Sequence, residues 1–240
     1  MIIFQKGFNF SQDGPGNRLV YHLSGCNLRC PWCSNPDSFF VENGKKYSVD
    51  EIVSEAIRSK PMMFDQGGVT FTGGEATVQF DELKEILIEL KKNDINTCLE
   101  TNGISSRLSE IFPYLDLLIM DIKHYDEIVH KNVTGLSNKI TLENAVKRLK
   151  EKGPLLIRIP LIGGFNSSIE DAYNFIKCFD NLGIKNDITV ELLKYHEFGI
   201  SKYAKLRLDY KMDSNARISK EAFLDFRRIF IENNIKVINT

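Results

Sequence analysis

The stretch GVTFTGGEATVQFDELKEILIELKKNDINTCLETNG, residues 68 to 103, decides the fold. GVTFT, 68 to 72, is rich in β-branched and aromatic residues and stops at a glycine pair, which reads as a strand. FDELKEILIELKKN, 80 to 93, carries apolar residues at helical spacing, and TCLET, 97 to 101, reads as a second strand ending before Asn102 and Gly103. A strand, a helix and a strand in immediate succession imply parallel pairing through a right-handed crossover.

The same alternation runs outward in both directions. Upstream, RLVYHLSG (18 to 25) reads as a strand, and SVDEIVSEAIRSK (48 to 60) as a helix with Ser48 as its N-cap and Glu51 three residues on. Downstream come a short helix near 106 to 112, a strand LLIMDI (117 to 122), a helix TLENAVKRLKEKG (141 to 153) and a strand PLLIRIPLI (154 to 162). A helix SIEDAYNFIKCFDNLG (168 to 183), a strand DITVELLKY (187 to 195) and a helix SKEAFLDFRRIFIENN (219 to 234) complete the pattern before a terminal apolar IKVI. About six such units make an α/β fold of the partial (β/α)6 barrel kind, an open parallel sheet with outer helices. No low-complexity linker or charge block interrupts it, so residues 1 to 240 read as one domain.

Composition sets the surroundings. Lys plus Arg number 31 against 32 Asp plus Glu, a formal charge of −1, so no basic field exists to neutralise the phosphates of a nucleic acid. No apolar run approaches the length of a membrane span, and the N-terminus lacks a basic region followed by a cleavage site. Five cysteines, three of them crowded together, argue against a secreted disulfide framework and for reduced thiols in the cytoplasm.

In this architecture functional groups gather at the C-terminal ends of the strands. Those ends carry SGCNLRCPWCSN (24 to 35), TGGEA (72 to 76), ETNG (100 to 103), DIKH (121 to 124), GGFN (163 to 166) and YHEFG (195 to 199). Cys26, Cys30 and Cys33 have no fourth cysteine nearby, since Cys98 sits in a strand and Cys178 in a helix, where a free cysteine acts as a small hydrophobe. A structural zinc site wants four closed ligands, so zinc would need His22 or His124 to complete it. A 4Fe-4S cluster held by three thiolates keeps one iron open to a small molecule.

The C-x3-C-x2-C spacing at the first strand end, followed by Gly73, Gly74 and Glu75 after the second, resembles the radical SAM enzymes. DGPGNR (13 to 18), GCNLRCPWCSN, VTFTGGEA, LETNG, MDIKHYDEIVHKNVTGLSN and LLKYHEFGISKY, in this order, are similar to landmarks of the glycyl-radical-enzyme activases of the pyruvate formate-lyase type. The likeness implies that Cys26, Cys30 and Cys33 hold a 4Fe-4S cluster and that S-adenosylmethionine chelates its open iron. It implies further that Gly73, Gly74 and Glu75 shape the place of the methionyl amino group, while Asp121, Lys123 and His196 meet the ribose or carboxylate end. Asp13 would engage the partner's glycine-bearing peptide, and Glu100, Thr101 and Asp121 match positions that can hold a monovalent cation. The implied activity is an anaerobic oxidoreductase reaction: an electron from flavodoxin or ferredoxin, cleavage of S-adenosylmethionine to a 5′-deoxyadenosyl radical, and abstraction of a hydrogen from a glycine of a glycyl radical enzyme.

The sequence departs from that pattern in places. Residues 34 to 66 contain no cysteine, which matches the compact type without a ferredoxin-like insert. Ser34 stands where the pyruvate formate-lyase activases have histidine, Asn17 replaces an apolar residue, and Glu100 replaces the usual aspartate. Two alternatives stay open on the residues: a radical SAM enzyme acting on a small molecule or peptide, such as a carboxy-deazaguanine synthase, and a non-catalytic iron–sulfur or zinc binding module.

Overall fold

The structure is a computed structural model that describes residues 1–10 and 12–239. The chain runs through β1 (Ile2–Asn9), β2 (Arg18–Leu23), β3 (Lys45–Lys46), α1 (Val49–Ser59), β4 (Gly68–Gly73), α2 (Phe80–Lys92), β5 (Thr97–Thr101) and β6 (Leu117–Asp121). It continues through α3 (Glu127–Thr134), α4 (Lys139–Lys150), β7 (Leu155–Leu161), α5 (Ile169–Asn181), β8 (Thr189–Lys194), α6 (Ile200–Lys205), α7 (Lys220–Glu232) and β9 (Lys236–Ile238). All strands join one open sheet in the order β3-β1-β2-β4-β5-β6-β7-β8-β9. From β2 to β9 every pairing is parallel; only β1, which pairs with β2 and β3, is antiparallel.

The six strands expected from sequence all form, and they lie side by side in chain order. The helices start where their caps say they should. Ser48 accepts from the Glu51 amide while the Glu51 side chain receives the Ser48 N–H, and Ser168 and Asp171 repeat this capping box on α5. The segment near 106 to 112 departs from expectation: it winds as a 3-10 stretch, Leu108–Tyr114, with Pro113 inside it, where the missing N–H cannot serve an α-helical ladder. Strand β1 and helices α3 and α6 complete the architecture without a signal strong enough to read beforehand. The two helices have only 8 and 6 residues, too short for an apolar period to stand out.

Because strand side chains alternate between faces, each parallel strand sorts its residues into two sets. One set, with Val69, Phe71, Leu99, Leu118, Met120, Ile157, Ile159, Val190 and Leu192, joins the main core beneath the helices. The other faces the hollow of the open barrel. There Cys98, Ile119 and Leu156 form a small buried apolar cluster, and Thr70, Arg158 and Glu191 are buried polar residues of β4, β7 and β8. Asp121, Arg158 and Glu191 stand in register across β6, β7 and β8, so three charged side chains share one row of the inner face.

The helical layer is tied together by aromatic side chains. Phe175 of α5 is fully buried and lies 5.1 Å from Tyr125, 6.1 Å from Phe179 and 6.4 Å from Phe226 of α7, centroid to centroid. Phe175→Ala should therefore cost about 3 to 5 kcal/mol, the range for an aromatic removed from a packed core. Urea unfolding of wild type and variant measures it, and a loss below about 1 kcal/mol would mean the site collapses around the void.

Candidate functional site

The cysteine loop leaves β2 at Leu23 and is braced from four sides. The Gly25 N–H donates to the Ser38 carbonyl (2.8 Å) and the Arg29 N–H to the Thr134 carbonyl at the end of α3 (2.9 Å). The Arg29 guanidinium turns back onto the Cys26 carbonyl at 2.7 Å. Trp32 packs tilted against Phe165 in the loop after β7, ring centroids 4.8 Å apart, and Lys202 of α6 donates to the Asn35 side chain at 2.8 Å. Backbone amides point at two of the sulfurs: Leu28 N–H to Cys26 Sγ and Asn35 N–H to Cys33 Sγ, both at 3.4 Å.

Cys26, Cys30 and Cys33 line a single hollow of about 270 Å³ at the C-terminal ends of the strands. Burial pushes Cys26 and Cys33 up to about 11 and Cys30 up to about 12, so in the free protein these thiols are neutral and bind a metal only by releasing protons. The same hollow is lined by Gly73, Gly74, Glu100, Thr101, Asp121, Lys123 and His196. Residues scattered over the whole sequence thus meet on one rim.

Each strand end contributes differently. The Gly74 N–H donates to the Leu23 carbonyl at 2.9 Å, and a Cβ on Gly74 would sit 2.3 Å from the Gly25 carbonyl oxygen, so only glycine allows β4 to pass this close to the cysteine loop. Lys123 Nζ lies 2.7 Å from Asp121 Oδ2. Burial works against the lysine's charge, but Asp121 outweighs it and raises the ammonium's pKa above its ordinary value. The lysine is held from behind by Asn166, fully buried, whose amide donates to the carbonyls of Lys123 and Pro160, both at 2.8 Å, and whose oxygen accepts the Ile162 N–H. His196 is exposed and stacks on Phe198 with centroids 4.2 Å apart.

Two of the expected residues lie off the wall. Glu75 is 1% exposed and sits beneath the hollow. Its Oε1 accepts from the Thr77 N–H, the Thr77 hydroxyl and the Thr101 hydroxyl at 3.0, 2.7 and 2.7 Å, and its Oε2 accepts the Asn102 N–H at 2.7 Å. It shapes the site by tying the end of β5 to the end of β4. Asp13 lies in the loop between β1 and β2, its carboxylate taken by the Asn9 side-chain amide and its carbonyl by the Thr70 hydroxyl at 2.6 Å.

Arg158 was not anticipated. It lines the hollow, nearly buried, with Nη1 on Glu100 Oε1 at 2.5 Å, Nε on Glu191 Oε2 at 2.6 Å and Nη2 on the Gln12 carbonyl. Its signal was present as the lone charge inside the apolar run LLIRIPLI, because a buried strand tolerates a guanidinium only where carboxylates pair it. Thr72 completes the ring by donating to Glu100 Oε2 at 2.7 Å. Both Glu100 oxygens are therefore engaged by side chains of this chain, and Asp121 by Lys123. Burial pushes the Glu100 carboxyl up to about 7 against the pull of Arg158.

With this geometry in place, comparison with known proteins is decisive. Residues 20–176 match the model of the radical SAM superfamily. The pyruvate formate-lyase-activating enzyme of Clostridium pasteurianum is 37% identical over 216 residues, which is 87% of this chain and 88% of that protein. The chain belongs to the radical SAM superfamily, among the glycyl-radical-enzyme activating enzymes. The 4-hydroxyphenylacetate decarboxylase activating enzyme of Clostridioides difficile is 30% identical, with 98% of this chain and 94% of that protein covered. In fold the chain resembles a radical SAM methyltransferase from Sphaerobacter thermophilus with a TM-score of 0.69 at 14% identity, over 96% of this chain and 67% of that one.

The residues present fit the iron–sulfur cluster and S-adenosylmethionine that the superfamily uses. Three thiols lining one hollow, with amides aimed at two sulfurs, form a cluster-type donor set, and the Lys123 ammonium lining the same hollow carries the charge to meet a carboxylate.

Glu75 generates a prediction. Glu75→Ala strips a partner from buried donors on Thr77, Thr101 and Asn102, each costing about 1 to 3 kcal/mol when left unsatisfied. Denaturant unfolding of the iron-free protein should register this loss before any cofactor is added. Equal stability of wild type and variant would refute the bracing role.

Proposed function

We propose that Cys26, Cys30 and Cys33 hold a 4Fe-4S cluster in this activating enzyme and that the neighbouring rim binds S-adenosylmethionine. The observation that carries the reading is the convergence of the three thiols, Lys123 with Asp121, and the Gly73–Gly74 backbone on one hollow. When bound, the two groups supply a 5′-deoxyadenosyl radical that takes a hydrogen from a glycine α-carbon of a partner glycyl radical enzyme. Flavodoxin or ferredoxin supplies the electron, in the cytoplasm and without oxygen.

The chain's own residues bind, orient and exclude water. Lys123, kept protonated by Asp121, and His196 on the open rim would, with Asp121, hold the ribose or carboxylate end of the cofactor. Gly73 and Gly74, with Glu75 behind them, would shape the place of the methionyl amino group, because the absence of a Cβ lets this backbone pack close to the cysteine loop. Trp32, wedged against Phe165, keeps solvent from the cysteine loop. Glu100 and Asp121, with Thr101 beside them, are the groups from which a monovalent cation site would be built; Arg158 and Lys123 supply positive charge at the same carboxylates. Asp13, in the loop below, engages the glycine-bearing segment of the partner.

We read residues 1 to 240 as one domain of the compact type. One sheet takes up every strand, and the alignment with the C. difficile relative extends over 301 residues where this chain has 240, so that protein carries residues without a counterpart here. Among the described residues no helix is long and apolar enough to cross a membrane.

Reconstitution without oxygen should load about four irons and four sulfides on the wild type. Replacing Cys26, Cys30 or Cys33 with Ala should abolish loading, while Cys98→Ala and Cys178→Ala should retain it. Stoichiometric zinc with no acid-labile sulfide in protein purified anaerobically would overturn the assignment. For the substrate loop, Asp13→Ala should keep the cluster and the affinity for S-adenosylmethionine. The glycyl radical formed per 5′-deoxyadenosine released should nonetheless fall on the order of a hundred-fold, because hydrogen transfer needs the α-carbon in near-attack position. Paramagnetic resonance against nucleoside yield gives the ratio, and an unchanged ratio would reduce Asp13 to a turn residue.

A further inference from the structure

The loop that bears Asp13 is tied into the inner face of the barrel by two buried arginines. Arg158 reaches its front at the Gln12 carbonyl. Arg18, fully buried at the start of β2, holds its back with five hydrogen bonds, all to neutral oxygens: the Thr70 hydroxyl at 2.6 Å, and the carbonyls of Pro15, Gln66, Val69 and Asn96 at 3.1, 3.4, 2.8 and 3.4 Å. Those acceptors belong to the loop itself, to the approach to β4, to β4 and to the approach to β5. One side chain therefore references the loop to the sheet.

Thr70 lies at the junction. It sits on β4, fully buried, with its side chain on the inner face, and it does not line the cofactor hollow. A hydroxyl accepts and donates at once. Thr70 Oγ1 accepts Arg18 Nε–H at 2.6 Å and donates to the Asp13 carbonyl at 2.6 Å. The charge on the guanidinium polarises the hydroxyl and strengthens its bond to the Asp13 carbonyl. The Cys98 thiol lies beside the same pair; burial pushes it up to about 12, so it stays neutral. At the other side of the loop the space is closed by backbone: a Cβ on Gly16, whose φ is +71°, would lie 2.3 Å from the Asp65 carbonyl oxygen.

We propose that Thr70 is a positioning residue for hydrogen abstraction: its single hydroxyl relays the Arg18 guanidinium to the Asp13 backbone and presets the substrate loop before the partner arrives. The role of the loop rests on the activase reading; the relay itself rests only on these contacts. Groups that place a reacting segment must themselves be locked by the shell behind them, and a displacement of about 1 Å is enough to cost on the order of a hundred-fold in rate. Thr70 does not line the cofactor hollow and would act through the Asp13 backbone.

Thr70→Val keeps the shape and removes the hydroxyl; Thr70→Ser keeps the hydroxyl. Two readouts on the reconstituted protein separate positioning from plain stability. The first is amide hydrogen exchange of residues 12 to 17, which should quicken roughly ten- to a hundred-fold in Thr70→Val and stay near wild type in Thr70→Ser. The second is glycyl radical formed per 5′-deoxyadenosine, with the C. pasteurianum pyruvate formate-lyase as protein probe. That ratio should fall by about tenfold or more in Thr70→Val, return in Thr70→Ser, and change while S-adenosylmethionine affinity does not. If Thr70→Val is too unstable to hold its fold, Thr70→Ala takes its place in both measurements. Loop exchange in the hydroxyl-free variant equal to wild type would overturn the relay, as would a serine variant as impaired as the valine one. A wild type that puts a glycyl radical neither on this probe nor on the C. difficile 4-hydroxyphenylacetate decarboxylase, while its loop still responds to Thr70→Val, would overturn the activase reading underneath it.

Discussion

The site depends on one buried carboxylate. Glu75, just past the end of β4, receives four hydrogen bonds from Thr77 in the turn and from Thr101 and Asn102 at the end of β5, while its own N–H donates to the Gly25 carbonyl at the mouth of the cysteine loop. Three adjacent strand ends are thereby fixed to one another at hydrogen-bond distance. A carboxyl group this deep is tolerated because donors meet both of its oxygens, three at Oε1 and one at Oε2. The thiols and the glycine pair inherit their relative placement from it.

Around that anchor the inner face of the barrel is organised by charge instead of apolar packing. Arg158 joins Glu100 and Glu191, Lys123 joins Asp121, and Arg18 spreads its charge over neutral oxygens of the backbone and Thr70. Such pairs add little net stability against well-packed hydrophobic residues, because desolvation offsets most of the attraction. Their presence on the face that surrounds the hollow, with the main apolar core on the other face, separates the part of the sheet that stabilises the fold from the part that holds ligands. A substitution on the helix side therefore acts through folding, and one on the inner side through geometry.

The order of the strands was legible because parallel strands buried on both faces are apolar runs with glycine or polar residues at their ends, and six of those runs were plain. The cysteine loop was legible from spacing alone. Arg158 was visible but unread: an arginine inside LLIRIPLI announces a buried charge without naming its partners, which lie 58 residues away on β5, two strands over, and 33 residues away on the adjacent β8. The antiparallel β1 escaped notice because its pairing is set across the DGPGNR loop, and α3 and α6 because so few turns show no period.

The sequence by itself determined the alternation of elements, the three-thiol spacing and the family likeness, since these are carried by local pattern and short motifs. Tertiary structure alone decided which motif residues face the hollow and which stand behind it. Glu75 and Lys123 read alike, as charged residues at strand ends, yet one is folded under the rim and the other lies on it, because the turn after β4 aims Glu75 at the Asn102 amide. Thr70 carried no signal at all. A threonine in a strand is ordinary, and its meaning comes only from the sheet twisting Arg18 and the Asp13 carbonyl to within hydrogen-bond reach of one hydroxyl from opposite sides.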